Sequence, residues 1–307
     1  MNPFAFNTTP RLTVLPGASA EIGRLAGSLL GRRILFVTNR GICALELERK
    51  AIQSLVKAGA EVLVFDGVEA DPRLATLMAA HDMARQNGVT GVVGFGGGSS
   101  LDVAKLIALL TGSGEDLDET WGVGKAKGPR LPLVLVPTTA GTGSEVTPVS
   151  VITVAGDEKR GVSSPILLPD IALLDAELTL SLPARTTAAT GIDAMVHAIE
   201  AYASKSANNN PVSRMLAVEA LRLIGGHIER VIAEPGGIEA RVAMLLGSTL
   251  AGMAFANSPV AAVHALAYPI GGTFHVPHGL SNALVLPHVL ASMRRRRLTV
   301  RLRSMRH

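Results

Sequence analysis

The chain is predicted to combine an α/β segment over residues 1–182 with an all-α segment over residues 183–307. Three observations carry this expectation. Short apolar runs alternate with helical patterns through the first segment, as in repeated βα units. Those runs are apolar on both faces, as in a parallel sheet covered by helices on both sides. The length, 307 residues at 48% apolar and 18% charged content, suits two domains with ample core.

In order, Arg11–Leu15 reads as extended and Ser19 as the cap of a helix ending near Gly31. Residues 33–38 form a buried-type strand, Ile42–Ala58 a helix closed by Gly59, and residues 61–66 another strand. Pro72 opens a helix to about Gln86, and residues 89–95 make the next strand. That strand runs into Gly96-Gly97-Gly98-Ser99-Ser100-Leu101-Asp102-Val103-Ala104-Lys105. Glycines there let backbone N–H groups and a helix N-terminus approach an anion such as a pyrophosphate. The turn also has a purely local reading, with Ser99 as helix cap and Asp102 completing a capping box. It lies at about the fourth βα unit, unlike the first-unit dinucleotide fingerprint. After the strand Leu131–Val136 comes a loop dense in hydroxyls, Pro137-Thr138-Thr139-Ala140-Gly141-Thr142-Gly143-Ser144-Glu145, placed to line a ligand crevice.

The second segment carries the clearest chemistry. Thr190–Glu200 reads as helix, so Asp193 and His197 stack on one face, four residues apart. Further on stand His264, His275 and His278. Each residue alone is commonly a helix-dipole acid or an ordinary imidazole. Together, in a chain with eight histidines, they suit a divalent metal held by carboxylate and imidazole, with residual positive charge to polarise a substrate oxygen.

The formal net charge is +4, yet residues 291–307 hold seven arginines and no acid, leaving the remainder at −3. With ten aromatic residues in the whole chain, stacking surface for bases is scarce, so a nucleic-acid partner is not expected. Cys43, the single cysteine, excludes an intramolecular disulfide and fits a reducing compartment. The N-terminus lacks a signal-peptide pattern and no wholly apolar uncharged run reaches 18 residues, so the expectation is a cytoplasmic protein without a membrane partner.

Four stretches carry a resemblance. They are the glycine turn, the hydroxyl loop, Ala188-Ala189-Thr190-Gly191-Ile192-Asp193-Ala194-Met195-Val196-His197, and His264-Ala265-Leu266-Ala267-Tyr268-Pro269 leading to His275-Val276-Pro277-His278-Gly279. Over residues 4–290 the chain resembles the iron-containing (group III) alcohol dehydrogenases. The resemblance implies a Rossmann-like domain, residues 1–182, followed by a helical metal-binding domain, residues 183–307, in a dehydroquinate synthase-like architecture. It implies hydride transfer between NAD(P)H and a primary alcohol or aldehyde at the cleft between them, and it is compatible with a homo-oligomer. Asp193, His197, His264 and His278 match the metal ligands, for Fe²⁺, with Zn²⁺ as the variant of the related glycerol dehydrogenases. Gly97, Gly98, Ser99 and Asp102 match the pyrophosphate loop, Thr138, Thr139 and Thr142 the hydroxyl loop, and Lys159 a cofactor-contacting lysine.

Three departures from the family pattern follow. Asn39 and Arg40 stand where an aspartate often binds the ribose, which favours acceptance of NADP alongside NAD. Tyr268 stands where several relatives carry a further histidine, so His275 and Tyr268 are the candidates for proton transfer. Last, the composition switches at residue 291 to an arginine-rich tail where the pattern would continue into further helices, as after C-terminal truncation. That loss is expected to uncover apolar faces of Ser213–Leu223, Ala240–Phe255 and Val260–Ala267. A dehydroquinate synthase-like lyase and an inactive remnant are the alternative functions.

Overall fold

The computed structural model describes residues 3–259, 262–274 and 276–304. Six strands form a parallel sheet: β1 (Arg11–Val14), β2 (Arg33–Val37), β3 (Glu61–Phe65), β4 (Gly91–Gly96), β6 (Leu133–Pro137) and β9 (Ile171–Leu174), in the spatial order β1-β9-β6-β4-β2-β3. Side chains alternate across it. Ile34, Phe36, Val93 and Phe95 face α1 (Ile22–Leu30) and α3 (Arg49–Lys57). Leu35, Val37, Val92 and Leu135 face α4 (Leu74–Gln86) and α5 (Gly98–Ser113). The chain leaves β2 for β3 on one side and returns to β4 on the other. That reversal opens a crevice at the carboxyl ends of β2 and β4, the usual ligand position in such sheets.

A smaller mixed sheet was not foreseen: β5 (Gly122–Val123), β8 (Lys159–Ser163) and β7 (Val149–Thr153) pair in that order, β7 and β8 antiparallel. The remaining helices of the α/β half are the short α2 (Arg40–Ala44) and α6 (Leu117–Thr120).

Helices α7 (Ala184–Ala203), α8 (Pro211–Ala233) and α9 (Ile238–Asn257) pack on one another, with α10 (Ala262–Phe274) and α11 (His278–Ser304) closing against α7. Their core is rich in alanine, with Ala194, Ala198, Ala201, Ala217, Ala220 and Ala251 all buried, so backbones approach closely. Helix α9 is long and apolar enough to cross a membrane by length and composition, although Glu239 and Arg241 keep it from being an uncharged run. Its apolar window is 67% buried inside the bundle, as befits a core helix. The predicted exposure of Ala240–Phe255 is therefore largely unrealised, whereas Met215 and Val218 on α8 and Leu266 on α10 are exposed. Residues 260 and 261 lie outside the described residues.

Several local expectations are corrected. Ser19 does not cap the helix; its N–H and hydroxyl donate to Asp175 Oδ2 at 3.0 and 2.5 Å, joining β9's end to the first turn. The predicted helix Ile42–Ala58 is two helices, α2 and α3, interrupted where Glu46 takes φ +54°. Ser99 is no cap either: Gly97 occupies that position without a side-chain hydrogen bond.

The two halves come into backbone contact at Gly143 of the hydroxyl loop and Gly252 of α9. A Cβ on Gly143 would lie 2.6 Å from Gly252 Cα, so the backbones touch with no room for a side chain.

Candidate metal centre and cofactor cleft

Helix α7 carries Asp193 on a buried face. Helix α10 supplies His264, and the first residue of α11 supplies His278. The position of His278 depends on Gly279, whose added Cβ would fall 2.4 Å from the Ala189 carbonyl oxygen, so α11 starts against α7 backbone to backbone. Asp193 Oδ1 lies 3.8 Å from His264 Nε2 and 3.5 Å from His278 Nε2. The ligand atoms of all three lie within 4.8 Å of one another. Bonds of roughly 2.1 Å to a tetrahedral ion separate neighbouring ligands by about 3.4 Å, so the trio has the chemistry and spacing for one divalent cation.

His197 stands beside this trio rather than within it. Its ring stacks on His264 at 4.7 Å between centroids and on Phe255 at 4.8 Å. Burial pushes its imidazole down to about 4, opposed by the Asp193 carboxylate, so it is neutral near pH 7. Its buried Nδ1 makes no hydrogen bond of ordinary geometry among the described residues, although the nearby Gly141 backbone favours the protonated ring. Burial also lowers His278, again against Asp193. Asp193 and His264 are sealed from solvent, whereas the His278 side chain is 43% exposed on the cleft side.

Two partners of this cluster escaped the sequence reading. Glu200 is buried, accepts from the Val263 N–H at 2.6 Å, and lies 2.7 Å from His264 Nδ1. A carboxylate behind a histidine fixes its tautomer and leaves Nε2 to the metal. Glu200 follows Asp193 by seven residues and His197 by three, a helical spacing that could have revealed it. Asn282, four residues after His278, places its amide against all three ligand atoms. We expect Glu200→Gln to weaken Zn²⁺ binding by about 10- to 100-fold, read by titration against a chelating dye; unchanged affinity would show the contact to be incidental.

The cluster forms one end of a cleft of about 320 Å³. The other wall holds Gly98, Ser99, Asp102 and Thr142, with Asp71 and Lys159 at its margin. Gly97 and Gly98 abut Thr139 and Thr142, and the Thr138 N–H donates to Gly96 at 2.9 Å. The glycine turn and hydroxyl loop are thus one surface. Behind it lies fully buried Lys105, whose ammonium donates to Ser144 Oγ and the Val149 carbonyl, both at 2.7 Å. Asp102 accepts from Ser144 Oγ at 2.5 Å and from the Val151 N–H at 2.9 Å, so its carboxylate braces the loop instead of closing a capping box. Lys159 pairs with Asp71. Asn39 sits at the end of β2, its Oδ1 accepting from Ile42 N–H at 3.1 Å as the cap of α2, while Arg40 is exposed. Tyr268 falls within α10, and nothing of its side chain is described; His275 lies outside the described residues.

A doubly covered parallel sheet with a glycine turn at its reversal point, facing a buried carboxylate–histidine cluster on a helical body, defines a metal-dependent, nucleotide-using enzyme. The sequence pattern "Iron-containing alcohol dehydrogenase" matches residues 9–176, and "Fe-containing alcohol dehydrogenase family, C-terminal" matches residues 187–305. The chain belongs to the iron-containing alcohol dehydrogenase family and is by class an NAD-dependent oxidoreductase of alcohols. It is 44% identical over 277 residues to long-chain-alcohol dehydrogenase 1 of Geobacillus thermodenitrificans, covering 89% of this chain and 68% of that one. A crystal structure of 1,3-propanediol oxidoreductase superposes with a TM-score of 0.90 at 37% identity, over 94% of this chain and 75% of the other. Sulfoacetaldehyde reductase from Bifidobacterium kashiwanohense, solved with NAD⁺, gives 0.85 at 31% identity, over 94% and 76%. The C-terminal family match includes the arginine-rich segment, whose backbone continues α11 as far as Ser304.

Proposed function

We propose that this chain interconverts a small primary alcohol and its aldehyde with NAD(P), at a divalent metal in the cleft between residues 1–182 and 183–307. The observation that carries the reading is the convergence of Asp193, His264 and His278 at one end of a cleft whose other wall is the glycine turn. His197 completes the ligand set in this proposal. Bound there, Fe²⁺ or Zn²⁺ would supply Lewis acidity toward the substrate oxygen.

The chain's own residues do the rest. Backbone N–H groups of Gly97, Gly98 and Ser99 receive the pyrophosphate at the N-terminus of α5. Thr138, Thr139 and Thr142 offer hydroxyls beside it. Asp102 shapes that surface from behind, and Lys159, half-exposed at the cleft margin, is placed to leave Asp71 for a cofactor. Phe255, Val149 and Val151 give the cleft an apolar side that suits the alkyl part of an alcohol. We assign proton transfer to His275 or Tyr268. We place the enzyme in the cytoplasm on the strength of its lone thiol, and the exposed apolar residues Leu266, Phe274 and Leu284 support a homo-oligomer.

A lyase acting on a phosphorylated sugar acid is less well supported, because Lys159 is the one lysine or arginine among the described cleft residues. The deciding experiment is an anaerobic thermal-shift series with Fe²⁺ or Zn²⁺, each with NADH or NADPH, followed by aldehyde reduction. A metal-dependent rise that cofactor extends, together with turnover, supports the proposal; a cooperative transition unmoved by every combination overturns it.

Cofactor choice gives a separate expectation. Asn39→Asp should lower kcat/KM for NADPH relative to NADH by at least about tenfold, because a carboxylate there repels the 2′-phosphate. Aspartate also caps helices, so α2 should be undisturbed. Steady-state kinetics with both cofactors checks it, and an unchanged ratio would place Asn39 away from the ribose.

A further inference from the structure

The side chain of Asn282 occupies the middle of the ligand cluster. It lies on α11, one turn beyond His278, and is completely buried. Its Nδ2 is 2.6 Å from Asp193 Oδ1, 3.3 Å from His264 Nε2 and 3.2 Å from His278 Nε2. These are the three ligand atoms that converge. Glu200 holds the His264 proton on Nδ1, which leaves the Nε2 lone pair directed at the amide. Two amide hydrogens therefore serve one carboxylate oxygen and two imidazole nitrogens.

The amide can be oriented in one sense only. Reversed, it would aim Oδ1 at the Asp193 carboxylate and at the His264 lone pair, two acceptors, and lose the 2.6 Å hydrogen bond to Asp193. Its Oδ1 is buried and has no hydrogen-bond partner among the described residues, so the donor half alone anchors the side chain. An imidazole nitrogen has one lone pair, which a hydrogen bond and a cation cannot share, and the amide stands among the ligand atoms where a cation would sit.

Resting on the reading of this cluster as a metal centre, we propose that Asn282 is its internal competitor. Its amide holds Asp193, His264 and His278 at coordination spacing and gives them up when a cation enters. Asn282 is thus a positioning residue that tunes metal affinity, and no part of its role requires contact with substrate.

The test is Zn²⁺ titration of the metal-stripped protein against a chelating dye, with Asn282→Ala beside the unaltered chain and melting followed with and without Zn²⁺. Asn282→Ala is expected to bind Zn²⁺ about tenfold tighter, the loss of one competing charge-assisted hydrogen bond. Its metal-stripped form should melt lower, while the Zn²⁺-loaded forms melt together. Equal or weaker affinity, or an equal fall in both melting points, would overturn the competitor role and leave the metal centre standing. No Zn²⁺ binding by the unaltered chain would overturn both. Should Asn282→Ala fail to fold, the unaltered ¹⁵N-labelled protein decides by NMR. The Asn282 side-chain NH₂ signals, assigned by proximity to His264 and His278, should exchange slowly with water and shift or quicken on Zn²⁺ addition. Signals that ignore Zn²⁺ would overturn the proposal.

Discussion

Asp193→Ala is expected to abolish retention of Fe²⁺ or Zn²⁺ through gel filtration and to lower kcat/KM for alcohol oxidation by about 10³ or more. Asp193 is the carboxylate of the trio, and its Oδ1 is within 3.8 Å of both partner nitrogens. Without it the imidazoles offer no charge to offset the cation, and Lewis-acid stabilisation worth several kcal/mol is lost, each 1.36 kcal/mol being tenfold in rate. Alanine is a good helix former on α7, so circular dichroism should be unchanged. Metal content near one equivalent in this variant would place the metal elsewhere.

Lys105→Met should be the most destabilising of the substitutions considered, by about 3–5 kcal/mol in urea unfolding, because breaking a buried ion-pair network strands its partners. Burial pushes the ammonium below the ordinary lysine range, with Asp102 and Glu145 opposing. It is held by Ser144 Oγ, Thr147 Oγ1 at 3.3 Å and the Val149 carbonyl, with Asp102 at 3.5 Å. These groups tie the hydroxyl loop and β7 to α5. The thermal rise on adding NAD(P)H should therefore shrink as well. A loss under 1 kcal/mol would mean that water replaces the ammonium at little cost.

The βα repeats were legible through β4 because strands buried on both faces leave unbroken apolar runs such as Ile34–Val37. The small mixed sheet was not, since β8 carries Lys159, Arg160 and Gly161 and reads as a charged loop; pairing with β7 makes it a strand. The break at Glu46 was hidden for a different reason: no glycine or proline marks it, and a non-glycine residue takes the left-handed conformation. At the site, histidine scarcity and the four-residue step from Asp193 to His197 pointed to the right helix, and the structure brings Asp193, His264 and His278 together. Glu200 and Asn282 went unnoticed although both sit at helical spacing from proposed ligands. A carboxylate on a helix usually looks solvated, and a neutral amide is not a common ligand, so only burial reveals their part. His275 and Tyr268 rest on motif position alone.

The contact of Gly143 with Gly252 sets the spacing of the hydroxyl loop and α9. Main chain meeting main chain has no rotamers to adjust there, and the buried hydrogen bond from Thr249 Oγ1 to Glu145 Oε1, 2.7 Å long, fastens the same two elements two residues further along the loop. A side chain at either glycine would wedge the loop and the helix apart and widen the cleft beside Thr142.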